Sequence, residues 1–180
     1  MEFIFEEDLT QLESENLIMS MYQEDNRTST QQLHSFWKYC YEPKKNFDHL
    51  NQFEQSPVSS EQELEEFLIE APLVHETWFI ERSLDQAIIG MLVLDNDSFD
   101  DLPMIDLYIG LPYTRKGYAS EAIELYFEYL KEHEIDTVYT SVLKENTPAI
   151  HFLTSLGYTK VNQVPEDLDD PSIDLYKRLL

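Results

Sequence analysis

Basic residues, cysteine and glycine are scarce in this sequence. Only 12 of its 180 residues are Lys or Arg, against 36 Asp or Glu, which gives a formal net charge of −24. A surface this acidic repels the phosphates of nucleic acids and the head groups of anionic lipids, so we expect neither nucleic acid nor membrane as a partner. The same charge attracts cations, including amines, although it also serves solubility alone.

The single cysteine, Cys40, excludes an intrachain disulfide and suits a reducing compartment, so we expect a cytoplasmic protein. No hydrophobic run approaches the ~20 residues of a membrane span, and the acidic N-terminus lacks the positive start of a signal peptide. No group of His, Cys and Asp has the spacing of a metal site, so we expect no metal. The length suits one domain covering residues 1–180.

The first 75 residues are predicted to be mainly helical. Asp8 is a suitable N-cap for a helix over residues 8–21 that carries Leu9, Leu12, Leu17 and Met21. Apolar residues at helical spacing predict a second helix over 33–40. Ser60 and Glu63 have the spacing of a capping box, which predicts a third helix.

The rest of the chain alternates between strand and helix patterns. Residues 77–81 and 87–94 predict a hairpin. Residues 104–109 predict a strand with Asp106 and Tyr108 on the side opposite its aliphatic residues. An apolar stripe predicts a helix over 120–130, and β-branched residues predict a strand over 137–143. Asn146 and Gly157 are placed as the N-cap and the C-terminal stop of a short helix. Two further strands are predicted, over 159–164 and 172–179.

The loop 114–119, Thr-Arg-Lys-Gly-Tyr-Ala, joins the strand at 104–109 to the long helix. A glycine-bearing loop that opens a helix offers bare backbone N–H groups to a phosphate, and Gly117 allows close approach because it has no side chain. Arg115 and Lys116 add positive charge in a chain that has little. The alternative is an ordinary strand-to-helix turn with two solvated cations.

These residues resemble the GNAT superfamily of acetyl-CoA-dependent N-acetyltransferases. Gly117 and Ala119 fit the family loop Gln/Arg-x-x-Gly-x-Gly/Ala. The segment 146–158 resembles a second family element, an Asn that opens a short helix ending in Gly-Phe or Gly-Tyr, here Asn146 and Gly157-Tyr158. Both elements, at a family-like separation and with a strand between them, make the resemblance fairly specific.

The resemblance implies a single α+β (mixed α/β) domain, with a twisted, mixed, mostly antiparallel sheet whose central strands splay apart between flanking helices. Residues 1–75 would form an acceptor-side portion and 76–180 the cofactor-binding core. Acetyl-CoA would be the cosubstrate. Backbone N–H groups of residues 115–120 would hold its pyrophosphate. The backbone at Ile109 and Leu111 would pair with the pantetheine arm, and Asn146 and Phe152 would face that arm. The implied cofactor-binding residues are Ile109, Leu111, Arg115, Lys116, Gly117, Tyr118, Ala119, Ser120, Asn146 and Phe152.

Two positions depart from the family pattern. Thr114 stands where Gln or Arg is usual, and Leu153 stands where many members place a Tyr that protonates the leaving thiolate. Leucine has no proton to give, although a thiolate also leaves unprotonated. Tyr113 and Tyr158 are further proton donors to consider, but each is equally a packing aromatic.

Asp106 is our candidate for the catalytic base, acting directly or through water, because the acceptor amine must lose a proton before it can attack. Tyr108, two residues further along the same strand and on the same face, is the second catalytic candidate. The alternative is that Asp106 is a solvated or ion-paired carboxylate on the strand face and that Tyr108 only packs.

We expect direct acetyl transfer to a primary amine. The acidic loop with Glu166, Asp167, Asp169 and Asp170 would suit a polycationic acceptor such as a polyamine or an aminoglycoside. Protein or peptide amines are the first alternative. A catalytically weak module of the same fold that binds coenzyme A or a partner is the second, because of Leu153. The chain would act as a monomer or homodimer.

Overall fold

The computed structural model describes residues 11–23, 27–36, 62, 75–95, 102–162 and 170–180. These residues form eight strands, three helices and a 3-10 turn at Leu111–Tyr113. The strands are β1 (Gln11–Glu13), β2 (Leu17–Met21), β3 (His75–Arg82), β4 (Ala87–Asp95), β5 (Met104–Ile109), β6 (Thr137–Leu143), β7 (Thr159–Lys160) and β8 (Ile173–Leu179). The helices are α1 (Arg27–Phe36), α2 (Tyr118–Glu132) and α3 (Thr147–Ser155).

One sheet holds the eight strands, in the order β1-β2-β3-β4-β5-β6-β8-β7. All neighbours are antiparallel except β5 and β6, which run parallel. These two strands share a single pair of partners, Met104 and Tyr139. Beyond that pair they diverge, which confirms the predicted mixed, mostly antiparallel sheet with splayed central strands.

The predicted hairpin before this opening is confirmed by β3 and β4, and the predicted strand over 104–109 by β5. Gly90 on β4 is where β5 comes closest. A Cβ added to Gly90 would lie 2.2 Å from the carbonyl oxygen of Tyr108 and 2.7 Å from the side chain of Ile109. Only glycine tolerates this approach, so Gly90 sets the path of β5 along one wall of the opening.

The helix predicted over residues 8–21 is wrong, because residues 11–21 form the hairpin β1–β2 at the sheet edge. Leu17 and Met19 are fully buried, while Ile18 between them is not. This alternation is that of a half-buried strand, and pairing with β3 satisfies its backbone. The expectation that residues 1–75 are mainly helical therefore fails for this segment.

The two faces of the sheet carry different helices. On one face, α2 buries Ile123, Tyr126 and Phe127 against the strands, as its apolar stripe predicted. On the other face, Phe36 of α1 packs on Phe79 with ring centroids 5.8 Å apart. The predicted continuation of α1 through Trp37 and Cys40, and nearly all of the helix predicted after Ser60, lie outside the described residues.

The short helix has the predicted ends. Asn146 accepts a hydrogen bond at Oδ1 from the backbone N–H of Ala149 at 3.2 Å, which caps α3. Gly157 ends it with φ of 84°. Strand β7 is shorter than predicted within the described residues, and β8 matches its prediction closely. Within the described ranges, no helix combines the length and the apolar character needed to cross a membrane.

Candidate active site

A cleft opens through the sheet where β5 and β6 diverge. Its volume is about 530 Å³, and it is bounded by the two strands, by α2 and α3 and by the segment that enters β8. Four predicted site residues line it, namely Asp106 and Tyr108 on β5, Asn146 at the start of α3 and Phe152 within α3, whereas Ile109, Leu111 and residues 115–120 do not. The cleft is thus the place where strand β5 meets the second sequence element, residues 146–158.

The glycine loop lies between the end of β5 and the start of α2. Gly117 is the N-cap of α2 with φ of 88°, and Arg115 also has a positive φ, of 58°. The first backbone hydrogen bond of the helix runs from Glu121 N–H to Gly117 carbonyl at 3.0 Å. The backbone N–H groups of residues 115–120 donate no hydrogen bond to any group in the described part of the chain.

These N–H groups fit a phosphate. A helix start leaves up to four N–H groups without partners, and the residues with positive φ in this loop extend that set. Arg115, Lys116 and Gly117 are exposed, and no atom lies within 4 Å of a Cβ added to Gly117. The residues present therefore suit the pyrophosphate of coenzyme A, held by backbone donors at the positive end of the helix dipole.

The β1–β2 hairpin is hydrogen-bonded to the first turn of α2, next to the loop. Glu121, in the first turn of α2, accepts hydrogen bonds from the hydroxyl of Ser14 at 2.7 Å and the backbone N–H of Asn16 at 3.0 Å. These bonds tie the β1–β2 turn to the helix start. Because Glu121 is engaged in this way, its carboxylate is directed to the hairpin side of the helix start.

Arg82, at the end of β3, adds a third cation near the loop. Its guanidinium lies 5.5 Å from the centre of the Tyr113 ring, and Lys116 Nζ lies 5.8 Å from the same ring. Asp85 and, second, the hydroxyl of Tyr118 raise the pKa of Arg82 by hydrogen bonding. Because Arg82 forms an ion pair with the carboxylate of Asp85, part of its charge is neutralised, and Arg115 and Lys116 supply most of the positive charge near the α2 start.

Strand β5 presents free backbone to the cleft. Gly110 donates its N–H to the carbonyl of Ile89 on β4 at 2.9 Å. Successive peptide groups of a strand point to opposite sides, so the N–H of Ile109 points away from β4, towards the open side. An N–H group in this position is open to an extended ligand that would lie beside β5. Leu111 lies just beyond, exposed, at the first position of the 3-10 turn.

On the opposite wall, α3 contributes apolar contacts and one amide. Phe152 and Leu153 line the cleft, as does Asn146, whose Oδ1 is occupied by the helix cap. His151 is exposed and lies outside the cleft lining, as expected for a surface histidine. This wall offers no proton donor at position 153.

Asp106 lies on the face of the sheet that carries α1. Its partner across β4 is Val93, while Tyr108 pairs with Met91, which in turn pairs with Phe79 beneath α1. Asp106 is exposed and its side chain opens onto the cleft, as the solvated alternative expects. Protein packed near the carboxylate desolvates it in part, and this desolvation and, second, the charge of Asp95 raise the pKa of Asp106 to about 6.

A carboxylate with this pKa is ionised near neutral pH and is a stronger base than an ordinary aspartate. No described cation forms an ion pair with Asp106, so the ion-paired alternative finds no support in this part of the chain. Tyr108 is half-buried on the same face and lines the cleft. The two candidate catalytic residues are therefore neighbours at one mouth of the cleft.

The acidic loop predicted to border the acceptor is described only at its end. Asp170 lines the cleft and accepts hydrogen bonds at Oδ1 from the backbone N–H of Ser172 at 2.7 Å and its hydroxyl at 2.6 Å, which lower the pKa of Asp170. Glu166, Asp167 and Asp169 lie outside the described residues. No Lys or Arg belongs to the described lining, so the cleft favours positive charge.

Within the described ranges, no group of three or more His, Cys, Asp or Glu is arranged to hold a metal ion. The site consists of a divided sheet, a loop of unpaired N–H groups and a carboxylate of raised pKa. Such a combination suits an extended ligand that carries phosphate groups.

The sequence matches the acetyltransferase (GNAT) family over residues 21–158. This span is well over half of the chain, and the protein belongs to this family, whose members are generally acetyl-CoA-dependent transferases. No curated protein matches the sequence significantly.

Solved structures support the fold. A GCN5-related N-acetyltransferase from Brucella melitensis aligns with a TM-score of 0.69 at 14% identity, covering 94% of this chain and 78% of that one. An acetyltransferase from Agrobacterium tumefaciens gives 0.68 at 14% identity, covering 98% of both chains. The ribosomal-protein-S5-alanine acetyltransferase from Vibrio fischeri gives 0.65 at 13% identity, covering 94% and 96%.

Sequence reasoning missed Arg82 and Thr140. Arg82 lies between the strands predicted over 77–81 and 87–94, whereas in the structure it is the last residue of β3 and lies near Tyr113, close to the start of α2. Thr140 lines the cleft and is 8% exposed. Its alternation with Val138 and Val142 within β6 was the signal that placed it on the buried side.

Proposed function

We propose that this protein transfers the acetyl group of acetyl-CoA directly to a primary amine of a positively charged acceptor, in the cytoplasm. The observation that carries the proposal is the cleft between β5 and β6, because Asp106 lines it and strand β5, which forms one of its walls, leads directly into the glycine loop at the start of α2. Acetyl-CoA, when bound, supplies a thioester that is reactive towards neutral amines.

The loop 115–120 would hold the pyrophosphate through its backbone N–H groups, with Arg82, Arg115 and Lys116 adding attraction. The open edge of β5 at Ile109 would pair with the pantetheine arm, and Asn146 and Phe152 would bound it from α3. The N–H of Ile109 is also the donor we assign to the negative charge that develops on the carbonyl oxygen.

Asp106 would accept the proton of the acceptor ammonium, directly or through water. Such an ammonium titrates near 10.4 in water, so a base with a pKa of about 6 produces only a small fraction of neutral amine. Transfer to the acetyl carbon then consumes that fraction. Tyr108, on the same face, would orient the acceptor.

The acceptor enters from the face that carries α1, because Asp106 and Tyr108 lie there and the α2 face leads to the phosphate loop. The carboxylates of Asp95, Asp106 and Asp170 would attract a cation. One structural neighbour is described as acting on an alanine of a ribosomal protein. Basic peptides therefore belong beside polyamines and aminoglycosides among the acceptors to test.

The test has two stages. Isothermal titration with acetyl-CoA measures cofactor binding, and thiol release is then followed over a panel of polyamines, aminoglycosides, lysine-rich peptides and peptides with an N-terminal alanine. We expect binding, and release with at least one cationic amine. Neutral analogues of the active amines serve as controls.

Binding without release on any amine would favour a module that binds coenzyme A without turnover, which is the reading that Leu153 favours. Absence of binding would contradict the cofactor assignment itself. Release with a peptide but with no small amine would identify a protein acceptor.

A further inference from the structure

Glu121 places a negative charge in the first turn of α2, beside the loop proposed to bind phosphate. Helix side chains lean towards the N-terminus of their helix, so this carboxylate lies near the end of α2 that would meet an anion. Among the described residues, no Lys or Arg forms an ion pair with Glu121. By its charge alone, Glu121 should weaken the binding of a diphosphate.

The turn between β1 and β2 holds both oxygens of this carboxylate. Ser14 donates its hydroxyl proton to Oε1 at 2.7 Å, and the backbone N–H of Asn16 donates to the same oxygen at 3.0 Å. The side-chain amide of Asn16 donates to Oε2 at 3.1 Å. The Ser14 oxygen in turn accepts the backbone N–H of Leu17 at 3.2 Å, which orients the hydroxyl. Glu121 is therefore held by a segment that lies 105 residues away in the sequence.

Asn16 also connects this turn to the turn between β3 and β4. Its carbonyl oxygen accepts a hydrogen bond from the backbone N–H of Ser83 at 2.9 Å. Arg82, the preceding residue, is hydrogen-bonded to the hydroxyl of Tyr118, the first residue of α2. The two hairpin turns and the start of α2 thus form a closed ring of contacts around one end of the phosphate loop.

Glu121 links this ring to the glycine of the loop, because its own backbone N–H donates to the Gly117 carbonyl at 3.0 Å. We infer that Glu121 and Asn16 position the phosphate loop, so that the unpaired N–H groups of residues 115–120 keep their arrangement before the cofactor arrives. The assignment rests on the proposed function and adds two positioning residues to it. Donors that are already in place bind a ligand more tightly, because less ordering is needed on binding.

The charge of Glu121 and its hydrogen bonds predict opposite results for its removal. If the charge dominates, Glu121→Ala strengthens acetyl-CoA binding, because a repulsion is lost. If positioning dominates, the same change weakens binding, because the ligand must then order the loop. Salt screens the repulsion and has little effect on the ordering. We therefore expect weaker binding at physiological salt.

The test is isothermal titration of the folded variants with acetyl-CoA, without an amine and at about 0.15 M salt. Glu121→Ala should bind about tenfold more weakly, because every bond to the carboxylate is lost. Glu121→Gln should lose only about threefold, because its carbonyl oxygen still accepts a hydrogen bond, although an uncharged one. Circular dichroism checks that each variant is folded.

A second ligand separates positioning from general damage to the fold. S-acetylpantetheine carries the acetyl thioester and the arm of the cofactor but no diphosphate. Titrated at millimolar concentration, it should bind Glu121→Ala within about twofold of its affinity for the unaltered protein, because it does not use the phosphate loop. Equal losses for the two ligands would overturn the inference.

Glu124→Ala is the matched control. Glu124 is exposed one turn further along α2, so the change removes the same charge from the same helix without touching the turn. Its acetyl-CoA affinity should stay within about twofold, with any change towards tighter binding. A loss as large as that of Glu121→Ala would contradict the role of the hydrogen bonds.

Ser14→Ala tests the same contact from the hairpin side and serves if Glu121→Ala does not fold. It should weaken acetyl-CoA binding about two- to threefold, and adding it to Glu121→Ala should cause no further loss, because both act through one bond. Losses that multiply, or unchanged or tighter binding in Glu121→Ala, would overturn the inference while leaving the cofactor site intact. Failure of acetyl-CoA to bind the unaltered protein would instead contradict the proposed function and, with it, the inference.

Discussion

The two halves of the candidate site are built from different parts of the chain. Near the start of α2, the groups available to a ligand are backbone N–H groups of residues 115–120, supported by nearby cations. On the α1 face, they are side chains, above all Asp106 with its raised pKa. A backbone site depends on local conformation, whereas a side-chain site depends on neighbours brought together by folding.

This difference has a functional consequence. Backbone donors suit a ligand that does not vary, such as the phosphates of a cosubstrate, because they cannot be altered without changing the chain path. Carboxylates on a strand face can be changed singly without disturbing the sheet. We therefore expect substitutions on the two sides to separate into effects on cofactor affinity and effects on turnover.

The largest effect should come from Asp106→Asn. The amide cannot accept the proton of the acceptor, so kcat should fall about 10²- to 10⁴-fold. Acetyl-CoA affinity should stay within about twofold, because Asp106 lies on the opposite face from the phosphate loop. Steady-state thiol release and isothermal titration measure the two quantities.

Asp136→Asn is the control for this change. Asp136 is an exposed aspartate just before β6, away from the cleft lining, and should keep its kcat. An Asp106→Asn enzyme with nearly full turnover would show that desolvation or water removes the proton without this carboxylate.

The second largest effect should come from Gly117→Glu. A non-glycine residue at φ of 88° is strained, and the added carboxylate repels the phosphates. We expect acetyl-CoA affinity to fall about a hundredfold or more, with folding retained because no atom lies within 4 Å of the new Cβ. Titration calorimetry and circular dichroism measure the two outcomes.

Gly157→Glu is a closely matched control. Gly157 has φ of 84° and equally open surroundings, but it lies at the far end of α3. The same strain and the same charge there should change cofactor affinity no more than about threefold. Equal losses in both variants would mean that strain alone, and not the phosphate site, explains the result at Gly117.

The division of the site also explains what the sequence revealed. Strand β5 and helix α2 were predicted with nearly correct ends. The apolar residues of each follow a clear strand or helix period, and Gly117 in the loop between them marks the start of the helix. Local sequence sets the φ angles and the unpaired N–H groups, so this half of the site could be proposed without the fold. The hairpin at 11–21 was missed because its apolar residues fit both periods and pairing with β3 decides between them.

The side-chain half could be predicted only in part. The alternation of β5 put Asp106 and Tyr108 on one face, but nothing in the sequence placed Asp95 near Asp106 or Asp170 in the lining of the cleft. Those facts arise from the register of β4 on β5 and from the divergence of β5 and β6. Long-range strand pairing of this kind cannot be predicted from the local periodicity of the sequence.

A smaller effect is expected for Arg82→Gln, which tests whether side chains also matter at the backbone site. Loss of this cation near Tyr113 and Tyr118 should weaken acetyl-CoA binding about three- to tenfold at low salt. The loss should shrink at high salt because screening reduces the attraction. Lys131→Gln, which removes a cation from the last turn of α2, should leave affinity unchanged at both salt concentrations.

The smallest effect should come from Asp95→Asn, which adjusts the side-chain half without removing its base. Asp106 must be ionised to accept a proton, so kcat/KM should fall as the pH drops through about 6. The charge of Asp95 raises the pKa of Asp106, and its removal lowers that pKa and moves the acid limb to lower pH. At pH 5.5 we expect kcat/KM, taken relative to its plateau above pH 7, to rise about twofold, while the plateau itself falls modestly because Asp95 also attracts the cationic acceptor. A full pH–rate profile of the unaltered protein and of Asp95→Asn measures this shift. An acid limb at the same pH in both would mean that ionisation of Asp106 does not determine it.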